Sequence, residues 1–205
     1  MKYLFLLSSC LVAAVPVAAR ASEDAGGDTV RSESIVVTAT GWNTGIDRTG
    51  QSIAVLGEDE LASVQGPDLT RALERLPGVV AARSGGLGSQ TSLFVRGANS
   101  EQLLVTIDGV RVADVAAPSG GFDLGTLMAG GIGRIELLRG SNSVVWGSDA
   151  VGGVLAITSA ERNGAQASAE YGARDSLTVS ASAGLKGEGH ALTLGGGYVR
   201  SDGIS

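Results

Sequence analysis

Cysteine occurs once, at Cys10, and histidine once, at His190. Cys10 lies in an N-terminal leader, so the processed chain has none, which excludes a disulfide framework and a cysteine-based metal site. A lone histidine leaves His-based metal sites and nucleophile–base pairs without parts, and no G-x-S-x-G run presents a serine. Adjacent carboxylates such as Asp59 and Glu60 fall at a helix start, where the helix dipole accounts for them. The chain is therefore expected not to be an enzyme and to carry no cofactor or metal. Lysine is nearly absent, present only as Lys2 and Lys186, and aromatics make up 4% of the chain, while glycine reaches 32 of 205 residues. That balance favours a turn-rich α+β or β chain. Once Lys2 and Arg20 leave with the leader, 13 basic residues face 21 acidic ones and the net charge falls from −6 to −8. Such a charge argues against nucleic acid as a partner.

The one long apolar run, Tyr3 to Ala19, follows Lys2 and ends in Ala19-Arg20-Ala21, a small-x-small cleavage pattern. Residues 1–21 are thus expected to be a secretory signal peptide that exports the chain. Leu7-Ser8-Ser9-Cys10 resembles a lipoprotein cleavage box, but the apolar run continues well past the cysteine. The run is also slightly short of the ~20 residues a spanning helix needs. Residues 22–33 are small, polar and charged, with nothing to bury, and are expected to be disordered. Directly after them Ser34 to Thr40 (SIVVTAT) is a β-branched run. A short extended segment on a flexible tether is what a partner sheet can capture through main-chain hydrogen bonds.

Gln51 to Leu56 predicts a strand, and Glu58-Asp59-Glu60 the acidic first turn of a helix. A second helix begins near Pro67-Asp68, carries Leu69, Ala72, Leu73 and Leu76 on one face and ends at Pro77-Gly78. Val79–Ala82 and Thr91–Val95 read as strands around the loop Arg83 to Gln90. That glycine-rich loop is no phosphate cradle, because no G-x-x-x-x-G-K occurs and a strand, not a helix, follows it. Asp108-Gly109 between Gln102–Ile107 and Val110–Val112 predicts a hairpin. Ala113 to Gly121 reads as a second long loop and Phe122 to Ala129 as a short helix. Gly131 to Ala160 combines an alternating strand (Arg134 to Arg139), a Gly-Ser-Asn-Ser turn, a helical turn at Val144–Trp146 and an apolar strand, Val151–Thr158. From Ala165 onward, residues 165–172, 175–186 and 190–200 alternate polar or small with apolar residues in runs of about ten, the period of outer-membrane barrel strands.

The Gly131–Ala160 stretch resembles the end of the plug domain of TonB-dependent outer-membrane receptors. Apolar-Arg-apolar-Glu-apolar-apolar-Arg-Gly stands at Ile132 to Gly140, followed by aromatic-Gly-Ser-x-Ala-x-Gly-Gly at Trp146 to Gly153. Ser141 occupies the place where the family usually has proline, and Trp146 the place of a tyrosine; both changes are mild. Asp68 to Val79 and Val105 to Arg111 are similar to further family patterns. Trp146–Gly153 and Gly85–Gly97 look most like the cobalamin-receptor branch, although siderophore receptors share most of the plug pattern.

The resemblance implies an α+β plug domain, a small mixed sheet with short helices and long apical loops, followed by the first antiparallel strands of a transmembrane β-barrel. The expected organisation is a flexible periplasmic segment over 22–47, a plug over 48–160 and the start of a barrel over 165–205. Three strands cannot close a barrel in lipid, so the chain is expected to be an N-terminal fragment or truncated frame. Ile35, Val36, Val37, Thr38 and Ala39 look like the TonB box, which pairs with the periplasmic partner TonB of the inner-membrane energising complex. The apical loops, with Gly86, Leu87, Gly88, Ser89, Gln90, Asp114, Pro118 and Ser119, would meet a scarce small-molecule ligand, a corrinoid or else a ferric chelate. In the family Arg96 and Arg139 are buried against the barrel wall and pair with its carboxylates. A free-standing periplasmic plug-like binding module would instead lack the alternating strands of 165–200.

Overall fold

A computed structural model of the chain describes residues 35–36, 44–64, 69–117, 120–161, 163–173, 175–188 and 190–203. Two short strands come first, β1 (Ile35–Val36) and β2 (Thr44–Gly45), paired antiparallel with Ile35 opposite Gly45. They are followed by β3 (Ser52–Leu56), helices α1 (Glu58–Ala62) and α2 (Leu69–Leu73), and the hairpin β4 (Val79–Arg83) and β5 (Thr91–Val95). Next come β6 (Leu103–Ile107), β7 (Val110–Val112), β8 (Ile132–Arg139), α3 (Ser143–Trp146) and β9 (Gly153–Ser159). Finally β10 (Gly164–Gly172), β11 (Ser176–Gly187) and β12 (His190–Arg200) form a separate antiparallel sheet.

The central sheet has the order β3-β8-β9-β6-β7 and is mixed, because only β6 and β9 run parallel. Alternation along its inner strands serves both faces. Ile135 and Leu137 of β8, Leu155 and Ile157 of β9, and Leu103 and Val105 of β6 face a core shared with Leu61 and Val64 and with Leu69, Ala72, Leu73 and Leu76. The predicted apolar stripe of the second helix is what fills this layer. Leu138, Val154 and Leu104 point the other way, into a smaller cluster with Ala150 that Trp146, Ile53 and Val55 cover. Being covered on both faces, β8 also buries Glu136, only 3% exposed, which ion-pairs with Arg134 two residues earlier on the same face. The unpaired charge would be far costlier than the pair.

The Asp-Gly hairpin forms as predicted, with Val105 opposite Val112. Asp108 is at φ 48°, and its carboxylate accepts from the backbone N–H of Ser159 at 2.8 Å and from its hydroxyl at 2.7 Å, which fastens the hairpin to the end of β9. One expectation fails. Phe122 to Ala129 is not a helix but two separate 3-10 turns, Leu124–Thr126 and Ala129–Gly131. The Asp123 side chain accepts from the Gly125 N–H, closing a tight turn that competes with helix propagation.

Candidate functional site

Four features named from sequence fall wholly or partly within the described residues. Of the candidate tether segment, Ile35 and Val36 form β1, whereas Val37, Thr38 and Ala39 lie outside the described residues. An extended backbone is already present at its first two positions.

The first loop, between β4 and β5, is held shut by its own backbone. Ser84 N–H donates to the Gln90 carbonyl at 3.1 Å, and Ser89 N–H to that of Gly86 at 3.1 Å. Gly86 and Ser89 are half-buried, whereas Gly88 and Gln90 are exposed and Leu87 is 44% exposed, which leaves an apolar side chain at the tip. The second loop closes through Asp114 N–H on the Gly121 carbonyl at 3.0 Å. The Asp114 carboxylate accepts from the Ala116 N–H at 2.8 Å, a local bond within the loop. Pro118 and Ser119 lie outside the described residues.

Arg96 and Arg139 close different strands yet meet at one corner. Arg139 lies opposite Ser52 across the β3–β8 pair, and the Arg96 guanidinium donates to the Ser52 hydroxyl at 3.0 Å. Arg139 donates to the Pro77 carbonyl at 3.1 Å, while the Arg96 backbone N–H reaches the Gly78 carbonyl at 2.8 Å. Arg96 is exposed, Arg139 is half-buried, and the Arg139 Nε is buried with no hydrogen-bond partner. The pair thus presents surplus donors at a single edge of the domain. Sequence reading named both residues but not their convergence, which depends on the 52–139 register.

The fourth feature is the β10–β11–β12 sheet, whose register assigns each side chain to a face. Gln166, Ser168 and Glu170 align with Ser182, Ser180 and Thr178, and these with Gly195, Gly197 and Val199. This polar or small face turns toward α1 and the Met128–Ile132 turn, with which it bounds a cavity of about 520 Å³. Contact is tight at one point, since a Cβ on Gly130 would lie 3.4 Å from the Ser180 Cβ, and one on Gly197 would lie 3.2 Å from the Met128 sulfur. The opposite face carries Ala165, Ala167, Ala169 and Tyr171, then Leu177, Val179, Ala181, Ala183 and Leu185, then Leu192, Leu194 and Tyr198. Tyr171, Leu185, Leu192, Leu194 and Tyr198 are all exposed. From Leu177 to Leu185 the apolar band runs ~27 Å along the strand at ~3.4 Å per residue, or ~21 Å in height at a barrel tilt of about 40°, comparable with the ~25 Å band of outer-membrane barrels. Both tyrosines stand at the same end of it, where an aromatic girdle belongs.

Sequence reasoning missed one residue that organises the loops. The Asp123 carboxylate accepts from the backbone N–H of Thr91, at the end of the first loop, at 2.8 Å and from that of Gly125 at 2.9 Å. The Asp-x-Gly spacing was the available signal. Among the described residues no group of three His, Cys, Asp or Glu side chains could hold a metal ion.

Comparison with known proteins matches residues 46–154 to the TonB-dependent receptor plug domain. A vitamin B12 transporter, BtuB, of Photobacterium profundum is 40% identical over 137 residues, covering 67% of this chain and 22% of that protein. The BtuB of Vibrio vulnificus is 32% identical over 182 residues, covering 84% of this chain and 29% of that one. Among solved structures, the alcaligin outer-membrane receptor FauA of Bordetella pertussis shares the fold, with a TM-score of 0.66 at 20% identity over 82% of this chain and 29% of that one. The chain spans less than a third of the length of each of these relatives.

Proposed function

The chain belongs to the TonB-dependent receptor plug-domain family, and from that premise we propose that it is the N-terminal part of an outer-membrane transporter taking up cobalamin or a related corrinoid. The observation that carries the transporter reading is the pair of faces on β10–β12. The polar one receives the plug, and the apolar one has the height and girdle that lipid requires. A free-standing periplasmic module would have to leave that apolar band in water. Likeness to two vitamin B12 transporters supports the corrinoid as ligand.

In this reading residues 1–21 direct export, 22–47 form a periplasmic segment, 48–160 the plug and 165–205 the first barrel strands. Ile35 to Ala39 is the box that TonB captures by strand addition, so that work done at the inner membrane reaches a compartment with no energy source of its own. Leu87 and Gln90, with Gly86, Gly88, Ser89, Asp114, Pro118 and Ser119, form the ligand-facing loops. Arg96 and Arg139 carry their surplus donors to barrel carboxylates further along the complete protein. The Arg139 Nε, buried without a hydrogen-bond partner, is the donor that most needs one.

The test is binding of labelled cyanocobalamin to cells whose only corrinoid receptor is the complete protein. Saturable binding that unlabelled cyanocobalamin displaces and ferric siderophores do not is the expected result. Absence of saturable cyanocobalamin binding, with saturable binding of a labelled ferric siderophore to the same cells, would move the ligand to the ferric chelates.

A further inference from the structure

The two loops hang from one five-residue segment, Gly121 to Gly125. Gly121 supplies the carbonyl that closes the second loop, and Asp123 supplies the carboxylate that fastens the base of the first. Between them and Gly125, Leu124 is 2% exposed and belongs to the main core, so the segment cannot slide. Both hydrogen bonds to Asp123 fall on one oxygen, Oδ1, which sets Thr91 N–H and Gly125 N–H around a single point. Gly125 itself lies so close to the Ser89 carbonyl that a Cβ there would collide with it. Thr91 is 1% exposed, and its hydroxyl donates to the same Ser89 carbonyl at 2.9 Å. The loop base is therefore fixed by Asp123 while its tip, at Leu87, stays free.

The geometry assigns Asp123 the role of a positioning residue for ligand recognition, holding the Ser84–Gln90 loop at a set distance from the Asp114 and Gly121 base of the second loop. This rests on the reading that these two loops meet the ligand, and it adds that their relative placement is fixed by one carboxylate oxygen that does not touch the ligand. Since Oδ1 acts only as an acceptor, an amide oxygen can replace it and a methyl cannot.

The experiment compares the complete receptor with D123A and D123N, reading hydrogen–deuterium exchange over residues 84–91 and cyanocobalamin affinity. D123A is expected to exchange faster across 84–91 and to bind about tenfold more weakly, the loss of two backbone hydrogen bonds, while D123N stays within about twofold of wild type. Should D123A fail to accumulate, D123G removes the same carboxylate at the residue that caps the Leu124–Thr126 turn, where glycine costs less than alanine, and is read against the same outcomes. Unchanged exchange and affinity in D123A would overturn the proposal, as would a D123N as weak as D123A. If the wild-type receptor does not bind cyanocobalamin, the corrinoid reading fails alone. The exchange comparison still decides the role of Asp123.

Discussion

Val37→Pro in the complete receptor is expected to reduce cyanocobalamin uptake to that of cells lacking the receptor while leaving binding at the cell surface unchanged. The argument is one of main-chain donors. A segment captured by strand addition contributes its backbone N–H and C=O groups to the partner sheet, and proline has no N–H to give. Within a paired strand it also leaves a ladder bond unmade. Ile35 and Val36 already hold an extended conformation against Thr44–Gly45, so proline at the next position interrupts the run just where a partner would continue it. Binding survives because the apical loops belong to other elements. Uptake and equilibrium binding of labelled cyanocobalamin, measured on the same cells, separate the two. Wild-type uptake by the proline variant would refute the assignment of the box.

Gly153→Ala carries the largest expected cost to the fold. Gly153 begins β9 at φ 147°, which L side chains rarely adopt, and a Cβ there would lie 2.5 Å from the Leu138 carbonyl oxygen. That oxygen belongs to the neighbouring strand of the central sheet, where Arg139 sits opposite Gly153 and Leu138 opposite Val154. Neither strand can yield without disturbing Leu138, Val154 and Leu155, all fully buried. A strained φ together with a backbone collision costs on the order of 3–5 kcal/mol. The expected outcome is a plug that exchanges its sheet amides rapidly and is cut by protease in otherwise intact outer membranes. Protection equal to wild type would mean that the sheet is not packed this way.

The strands were legible because their periods are strong. The ten-residue alternation after Ala165 predicted three strands, and they lie at 164–172, 176–187 and 190–200. Asp108-Gly109 named its hairpin, and Leu69, Ala72, Leu73 and Leu76 named the buried face of α2. Phe122 to Ala129 was misread because its scattered apolar residues suggest a helix, whereas the Asp123–Gly125 bond spends the local backbone donors on a turn. Glu136 would also be judged solvent-facing from its charge. It is buried because β8 lies inside a sheet covered on both sides, a property of sheet order that one strand's sequence does not carry. The same holds for the candidate site. Leu87, Gln90, Arg96 and Arg139 could be picked out by motif, but the meeting of the arginines at Ser52 and Pro77, and the fastening of a loop by a residue 32 positions away from Thr91, are long-range facts.

The claim beneath all of this is that residues 48–160 form a plug seated on the polar face of the first barrel strands. Residues 22–205 contain no cysteine, so in a complete receptor with any cysteine elsewhere replaced by serine, a cross-link between Gly130→Cys and Ser180→Cys reports on that contact alone. Their Cβ atoms would lie about 3.4 Å apart, within reach of a disulfide. With a protease site placed at residues 161–163 of the complete receptor, cleavage after mild oxidation should leave plug and barrel joined on a non-reducing gel and separate on a reducing one. Fragments that separate without reductant, with both thiols open to maleimide, would contradict the seating.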